Sequence, residues 1–578
     1  MADAYTDARA AFVAWRERFP ADLYAADRHL DLVNRRHLSG TRLAAVRVDG
    51  TEFGKIVSAR LGPLVDSYQD HPPQLSSYDG LGNRTEEIRF DPAYHEAGSL
   101  VWASGLMRHA VRAGASFEQA TAFYLASLEG ELGHLCAATC TTGMVRVLRR
   151  SASDPIKDNW LAALTEMDYT RAIRGAQFLT EVQGGSDVGA IAAEAFAVGD
   201  GTFRITGEKW FCSVADAGVF LLLARPEGAG PGTAGLGCFL VPRIVAGTPN
   251  GFSIRRLKDK LGTTSMASGE IDFEDALAYP IGGIDEGFKI MVTGMLNTSR
   301  WMNAVGNVGI MRRAYLDASG YAAFREAFGR RIAEFPLVRL QLAEMKAEWL
   351  AALHSTWDLT ALDEAVDLVA MGEATIDEDT AGFHRYLVNA NKLVCSLAAT
   401  EVVRGAIEIL GGNGAIETFS ILPRLLRDSV VFEQWEGTHN VLTAQVLRDL
   451  DRMGLTGTVL DRTLALLKGI TDPELADAAA RAAAAVEELG AAIRVCVDDP
   501  EHGALHFRAH LEGLVRAHQV ALLLDAAESR ESEEAETGEL AAAATVLTGR
   551  YLDRGYRPER DPGFAATIDR LLGTDVDV

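Results

Sequence analysis

Gln177-Phe178-Leu179-Thr180-Glu181-Val182-Gln183-Gly184-Gly185-Ser186-Asp187-Val188 is where the chain changes character. Upstream, residues 2–176 read as mostly helical, and residues 116–149 carry long apolar stretches with few glycines or prolines. His71-Pro72-Pro73 and Asp79-Gly80-Leu81-Gly82-Asn83 interrupt that pattern with helix breakers and turn formers, which predicts an irregular stretch. Downstream, to about residue 283, the chain reads as short strands and tight turns. Phe203 and Ile205 alternate with polar neighbours, and residues 219–224 are continuously apolar. Short apolar runs at 238–241, 252–254 and 271–273 follow at close intervals, which predicts a small β-barrel or sandwich.

Helix returns at about residue 287 and continues to 450. Pro336 suits a helix start, and Val338, Leu342, Met345 and Trp349 then fall on one face. A second long helix near 389–410 is stopped by Gly411-Gly412. Helices of this length joined by short loops predict an antiparallel bundle. Residues 451–578 are Ala-rich and helical. Residues 478–485 are alanine except Arg481, which reads either as a tight packing face or as plain helix propensity. Residues 528–539 are acidic and read as an exposed loop or frayed helix end. The predicted fold is mostly α with a central β domain. It divides into an N-terminal helical domain (1–176), a β-barrel domain (177–285), a helical bundle (286–450) and a helical extension (451–578).

The bulk composition agrees with several cores. The chain has 578 residues, 48% of them hydrophobic, enough for three or four domains. Its formal net charge of -24 repels nucleic acid and anionic membranes, though a local basic pocket for a phosphorylated ligand stays open. The extension alone carries 24 acidic against 13 basic residues, a net of -11. Six cysteines, Cys136, Cys140, Cys212, Cys238, Cys395 and Cys496, form no CxxC pair and are expected to be reduced. His134 beside the first two reads as a packed residue, and no metal site is evident. Residues 1–10 hold Asp3 and Asp7 and no apolar core of a secretion signal, and no run reaches membrane-spanning length. A cytoplasmic location follows by default.

Five motifs carry chemistry. In the opening stretch, the Gly pair before Ser186-Asp187 suits a loop whose amides approach a phosphate or a flavin ring, although a plain surface turn reads the same. Gly207-Glu208-Lys209-Trp210-Phe211-Cys212-Ser213 looks like a turn into a strand; an aromatic followed at spacing two by a hydroxyl could flank a planar cofactor, or be a half-buried strand. Arg325-Glu326-Ala327-Phe328-Gly329, read as helix, puts Arg325 and Phe328 on one side, where Arg suits a pyrophosphate or simply snorkels. Glu408-Ile409-Leu410-Gly411-Gly412-Asn413-Gly414 lets a phosphate or ribose approach the backbone, as a helix stop also would. Finally, Trp435-Glu436-Gly437-Thr438-His439-Asn440 sets a carboxylate before a glycine, with Thr and Asn at the next helix start; Glu436 could also be a carboxylate favoured by a helix dipole.

In this order and spacing, over roughly residues 100–450, the five motifs resemble the acyl-CoA dehydrogenase superfamily. The order of helical, β and helical regions matches too. The resemblance implies FAD as cofactor, bound through Phe178, Thr180, Ser186, Phe211 and Ser213, with Phe211 standing where the family usually has Trp. It implies that Arg325, Phe328, Gly411 and Gly412 reach a neighbouring subunit's FAD, hence a homo-oligomer, dimer or tetramer. Glu408 stands where many members have Gln. Glu436 matches the family's catalytic Glu, and Thr438 and Asn440 its FAD contacts. The implied reaction removes the proton α to a thioester carbonyl while hydride leaves the β carbon, giving a trans-2-enoyl thioester. Hydrogen bonds to the carbonyl oxygen would stabilise the developing enolate, and a dry site would raise the base's pKa. Substrate contacts carry over to Ser186, Gly437, Asn297 and Arg300; Asn297 departs from the family's Asp, and Arg300 is kept, unless it is a structural arginine pairing with Glu401.

Pro72-Pro73-Gln74-Leu75, Asp79 to Arg84, and Phe90-Asp91-Pro92-Ala93-Tyr94-His95 are similar to the bacterial alkylation-response homologue branch of the superfamily. That branch is associated with DNA binding through a basic C-terminal region, whereas here the region is acidic, so nucleic acid is not an expected partner. The expected partners are an acyl-CoA or carrier-bound acyl substrate and an electron-transfer flavoprotein. The competing functions are an FAD-dependent oxidase or dehydrogenase acting on a non-CoA substrate, and a stress-response protein whose flavin is structural.

Overall fold

The stretch rich in Pro, Gly and Asn that reads as irregular folds as a hairpin: β1 (Gln74–Tyr78) pairs antiparallel with β2 (Arg84–Arg89). The Asp79 carboxylate closes its turn by accepting from the Leu81 and Asn83 amides, each at 2.8 Å. This computed structural model describes residues 2–553, 555 and 557–577. Met1 of the N-terminal stretch, and Arg554, Tyr556 and Val578 of the extension, lie outside the described residues.

The chain forms two compact units. One comprises Arg60–Met302 and Asp367–Ala374 and holds the β domain. Its strands are β3 (Gly175–Phe178), β4 (Glu194–Ala197), β5 (Phe203–Ser213), β6 (Val219–Pro226), β7 (Gly237–Pro242), β8 (Ile244–Val245), β9 (Thr248–Pro249), β10 (Phe252–Leu257) and β11 (Ser268–Pro280). β11 pairs with both β5 and β7, and β6 with both β7 and β4, so the ring β11-β5-β4-β6-β7 closes on itself as a small barrel. β10 flanks β11, and β3 runs parallel to β6. Closure gives β6 partners along both sides, and residues 219–224 are buried on both faces. The hairpin β1–β2 is tied to this domain by Glu86, whose carboxylate accepts from the Ile254 amide at 2.9 Å. The apolar stretch 116–149 is two helices, Ser116–Ser127 and Gly133–Ser151, separated by a break that carries Glu129 and Glu131.

The other unit is helical. The helices Pro336–Ala370 and Glu378–Leu410 are its longest, with Leu342, Trp349, Trp357 and Leu393 among the fully buried residues. Leu422–Gln434 and His439–Met453 pack beside them, followed by the extension helices Thr456–Gly469, Ala476–Asp498, Phe507–Glu528 and Glu534–Leu547. The alanine run is a packing face: Ala478, Ala479, Ala482 and Ala485 are buried.

Two expectations are corrected here. Residues 528–539 are the expected exposed loop only at 529–533, where 530, 531 and 533 are exposed. The helix Glu534–Leu547 then starts with a capping box between Glu533 and Glu536, and Glu536 and Glu539 are buried against basic partners. Arg325 and Phe328 do not share a helix face. The preceding helix stops at Phe324, and β12 (Glu326–Ala327) and β13 (Arg330–Arg331) form a tight hairpin with Phe328 and Gly329 at its tip. Both tip residues have positive φ, +53° and +78°, which a helix cannot accommodate.

Candidate active site

In the β-containing unit the candidate site is built on an irregularity in β5. Lys209 pairs with Ile271 and Cys212 with Gly269, so Trp210 and Phe211 together face the single residue Glu270. This is a β-bulge, which re-aims side chains. Lys209 and Cys212 are an odd number of residues apart, so a regular strand would bury only one of them; the extra residue lets both be buried and turns Phe211 outward, 40% exposed. Lys258 covers the bulge. Its ammonium lies 3.8 Å from the Trp210 ring centre and 5.7 Å from that of Phe211, and Glu270 accepts from it at 2.7 Å. Hydrogen bonding from Arg256, reinforced by Lys258, brings the Glu270 pKa down to about 2.

The loop after β3 is tied to the bulge. The Trp210 amide donates to the Thr180 carbonyl at 2.9 Å, and Glu181 and Gly184 bond each other reciprocally at 3.3 and 3.0 Å. The Glu181 carboxylate accepts from Lys209 at 2.6 Å and from the Ala192 amide and the Gln183 side chain at 2.7 Å each. Burial alone would raise the Glu181 pKa; the Lys209 ammonium and these bonds pull it below its ordinary range. Gly184 sits at φ +146°, and a Cβ on Gly185 would lie 2.5 Å from the Thr180 hydroxyl. Both positions therefore require glycine. Residues 184–187 are exposed, and beyond the Gly184 amide, which donates to Glu181, the backbone of Gly185, Ser186 and Asp187 faces outward for a ligand. The exposed Phe211 face, this loop, and the half-buried Thr180 and Ser213 hydroxyls fit a planar ring with a hydrogen-bonding edge, as in a flavin. Phe178 differs: its ring is fully buried, 4.9 Å from Phe220, so only its backbone can serve a ligand.

Near the start of the helix Asn297–Phe324, Asn297 is half-buried and Arg300 buried. The turn is held by Gln177, which donates to Ser299 at 3.5 Å, and by Arg146, 4.7 Å from the Trp301 ring centre. Elsewhere in the unit, His134 is packed as expected, stacked on Tyr94 at 3.9 Å. Burial, with the nearby Arg174 charge, lowers its pKa to about 3. It also belongs to a buried polar cluster with Glu129 and Glu131, whose ligand atoms lie within 4.8 Å of one another.

In the helical unit, Glu436 occupies the turn between the helices Leu422–Gln434 and His439–Met453. Trp435 is extended, Glu436 has φ +57° and Gly437 φ +106°. A left-handed Glu is strained, and such strain concentrates at functional sites. Glu436 is half-buried, while Thr438, the N-cap residue, and Asn440 are exposed at the start of the following helix. Phe432 stacks against Trp435 at 4.5 Å, and Asn303 donates to the Phe432 carbonyl at 3.1 Å. In the same unit Gly411, φ +61°, ends the helix Glu378–Leu410; neither it nor Gly412 has a neighbour where a Cβ would be, so this backbone is open. Asn413 donates to the Tyr321 hydroxyl at 3.1 Å, and Glu408 accepts from Gln341 at 3.1 Å. The hairpin tip presents Phe328, 95% exposed, while Arg325 is half-buried with its guanidinium 5.8 Å from the Phe12 ring centre. Glu401 pairs with Arg404 on its own helix. A cavity of about 460 Å³ between the helices Pro336–Ala370, Glu378–Leu410 and Phe507–Glu528 contains none of the predicted site residues.

Sequence reading missed Lys258, Glu181 with Lys209, and Lys392. Lys392 gave little signal, because it stands next to Asn391 in a mixed stretch, and its burial depends on the elements packed around its helix.

Comparison with known proteins fits this geometry. The model for the acyl-CoA dehydrogenase C-terminal domain matches residues 285–450, that for the middle domain matches 176–276, and that for the adaptive response protein AidB N-terminal domain matches 16–171. AidB of Escherichia coli is 32% identical over 444 residues, 73% of this chain and 76% of that protein. Acyl-CoA dehydrogenase family member 11 of Caenorhabditis elegans is 31% identical, over 74% of this chain and 70% of that protein. The crystal structure of Caenorhabditis elegans ACDH-11 in complex with C11-CoA superposes with a TM-score of 0.84 at 27% identity, covering 96% of this chain and 95% of that one.

Proposed function

The chain belongs to the acyl-CoA dehydrogenase family, and from that premise we propose that it desaturates an acyl-CoA thioester with Glu436 as the base. It is a flavin-dependent oxidoreductase acting on a CH–CH bond. The observation that carries the base assignment is the backbone of Glu436: a carboxylate held at φ +57° and half-buried, where any relaxed conformation would be easier to keep.

The residues fit the cofactor. Thr180, Ser186, Phe211 and Ser213 are the proposed contacts from the β unit, with Phe178 contributing backbone only. Thr438 and Asn440 are the proposed contacts at the helix start, and Arg325, Phe328, Gly411 and Gly412 those toward a neighbouring subunit. FAD, when bound, supplies the acceptor for the hydride that leaves the substrate's β carbon. Glu436 takes the α proton as its electron pair forms the new double bond, and the neutral carboxylic acid remains until the product leaves. Excluding water from the carboxylate strengthens it as a base toward a weakly acidic α proton. Ser186, Gly437, Asn297 and Arg300 are the proposed substrate contacts.

A homo-oligomer, dimer or tetramer, is supported by Phe328. A large apolar ring kept in water on a strained hairpin is the kind of feature a second subunit covers. All six cysteines are buried free thiols, which suits a reducing compartment and a cytoplasmic location. No helix among the described residues is long and apolar enough to cross a membrane.

The test is anaerobic bleaching of the bound flavin with a panel of acyl-CoAs beginning with C11-CoA, on wild type and Glu436→Gln. Bleaching in wild type alone is the expected result. If a fully loaded flavin is bleached by no CoA thioester, the substrate reading fails; if Glu436→Gln bleaches as fast as wild type, the base reading fails. Reoxidation of the bleached protein by dioxygen or by an electron-transfer flavoprotein then identifies the acceptor.

A further inference from the structure

One face of the helix Glu378–Leu410 grips the Glu436 turn at three points. Lys392 donates to the Glu433 carbonyl at 2.8 Å and to the Gly437 carbonyl at 3.3 Å. One helical turn further, the Ser396 hydroxyl meets Nε2 of His439 at 3.2 Å. One turn beyond that, Thr400 donates to the Glu433 carboxylate. The spacing of four residues puts the three side chains in one stripe. Their targets lie three residues before Glu436, one after it and three after it, so the stripe holds the turn from both sides.

Each bond answers a need of that turn. The Glu433 carbonyl belongs to the last turn of its helix, where carbonyls lack intrahelical partners. The Gly437 carbonyl belongs to the left-handed pair, outside both helices. The Lys392 side chain is fully buried, so water cannot take its place on these oxygens. Burial, with the Lys392 charge next, lowers the His439 pKa to about 4, which leaves the imidazole neutral for its contact with Ser396. Strained backbone persists only where its surroundings over-determine it.

We propose that Lys392, Ser396 and Thr400 form a positioning clamp that keeps Glu436 in its strained conformation and so sets the rate of α-proton abstraction. The inference rests on Glu436 being the base. The clamp residues are positioning residues that act through the turn.

Two measurements on the FAD-loaded, full-length protein test it. The first is hydrogen exchange of the peptide spanning residues 434–439 in wild type, Lys392→Met, Lys392→Arg and the double variant Ser396→Ala/Thr400→Val. Lys392→Met is expected to speed exchange there about tenfold while the rest of the helix Leu422–Gln434 keeps its protection, with Lys392→Arg intermediate. The second is the rate of flavin reduction at saturating C11-CoA, or whichever panel thioester reduces wild type. Here Lys392→Met is expected to lose about 10–100-fold in rate with little change in KM. Should Lys392→Met fail to fold, the double variant carries both tests, with smaller effects in the same direction. Unchanged exchange in a folded variant overturns the clamp. Loosened exchange with an unchanged reduction rate overturns its role in the chemistry. If instead Glu436→Gln keeps the wild-type rate, the base reading falls while the exchange result still decides whether the clamp holds the turn.

Discussion

Lys392 and Lys346 stand on the two longest helices of the same unit, both withdrawn from water, and their charges meet different partners. Lys392 meets two backbone carbonyls beside a strained turn. Lys346 meets two carboxylates, Glu539 at 2.9 Å and Asp575 at 2.7 Å. Around Glu539 the neutralisation is thorough: Nε2 of His29 is 2.7 Å away and Arg28 pairs with the other oxygen, while Asp575 also accepts from the Tyr315 hydroxyl at 2.8 Å. The positive φ beside Glu539 is that of Gly573, +51°, a residue with no Cβ to strain, and the carboxylates are held by cationic and hydroxyl donors. The Glu436 turn keeps a carboxylate at the cost of backbone strain. The first region has the makings of chemistry; the second fastens the C-terminal extension to the bundle. Similar residues serve both, and the partners of the lysine tell the regions apart.

The largest effect should come from the smallest change. Glu436→Gln keeps size and shape, and is expected to slow flavin reduction about 10²–10⁴-fold, the range a positioned general base contributes. Its melting temperature should stay within a degree or two of wild type, because Gln keeps the size of the side chain and its capacity to hydrogen-bond. A substantial fall in melting temperature would break the comparison.

Lys346→Met reverses the pattern. It leaves Glu539 buried and Asp575 half-buried with too little positive charge, and removing one partner of a buried pair costs about 3–5 kcal/mol. Urea titration should show that loss, while the flavin reduction rate per loaded site stays near wild type. A rate loss in step with the stability loss would mean that the two regions are coupled.

Acid should find the second region first. Burial would raise the Glu539 pKa, but the His29 hydrogen bond and the Lys346 charge overcome it and hold the carboxyl far below the usual range. Asp575 is lowered in the same way, against burial and chiefly by Lys346. A carboxylate with a depressed folded pKa contributes stability that is fully present above its unfolded value, near 4.3 for Glu. That contribution shrinks as pH falls below that value. The melting temperature should therefore drop between pH 6 and pH 3, and Glu539→Gln should lower it at pH 6 but flatten the drop. An equally steep drop in the variant would place the acid sensitivity elsewhere.

Much of this was legible in the chain. The barrel could be read because alternation and turn residues are local, and the turn at Glu436 because a glycine at a helix junction is a local signal too, whereas the role of Glu436 as base came only from the family resemblance. The hairpin at residues 74–89 was also within reach: Asp79-Gly80 is a strong turn pair, and reading it as mere irregularity missed the flanking strands. What could not be read depends on partners far along the chain. Glu536 and Glu539 look like a solvated acidic run until Arg35, Arg28, His29 and Lys346 arrive from hundreds of residues away. The outward turn of Phe211 depends on a register shift against β11, which no single strand encodes. Ser396 and Thr400 read as ordinary helix positions because their targets lie in another element.

The smallest effect gives the cleanest comparison of the two backbones. Glycine and alanine at one position lose the same carboxylate, so their difference reports the backbone alone. At position 436, φ is +57°, where a Cβ costs roughly 1–2 kcal/mol. Glycine gives back some of that through its freer unfolded chain, about 0.5–1 kcal/mol. Glu436→Gly should therefore be more stable than Glu436→Ala by a few tenths to about 1 kcal/mol in urea unfolding. Position 539 is inside the helix Glu534–Leu547, where alanine is favoured over glycine by about 0.8–1.0 kcal/mol. There the order should invert, with Glu539→Gly the weaker of its pair. The inversion depends on no estimate of what either carboxylate does. If alanine is the more stable residue at both positions, the Glu436 turn is not strained, and neither the clamp nor the strain has anything to hold.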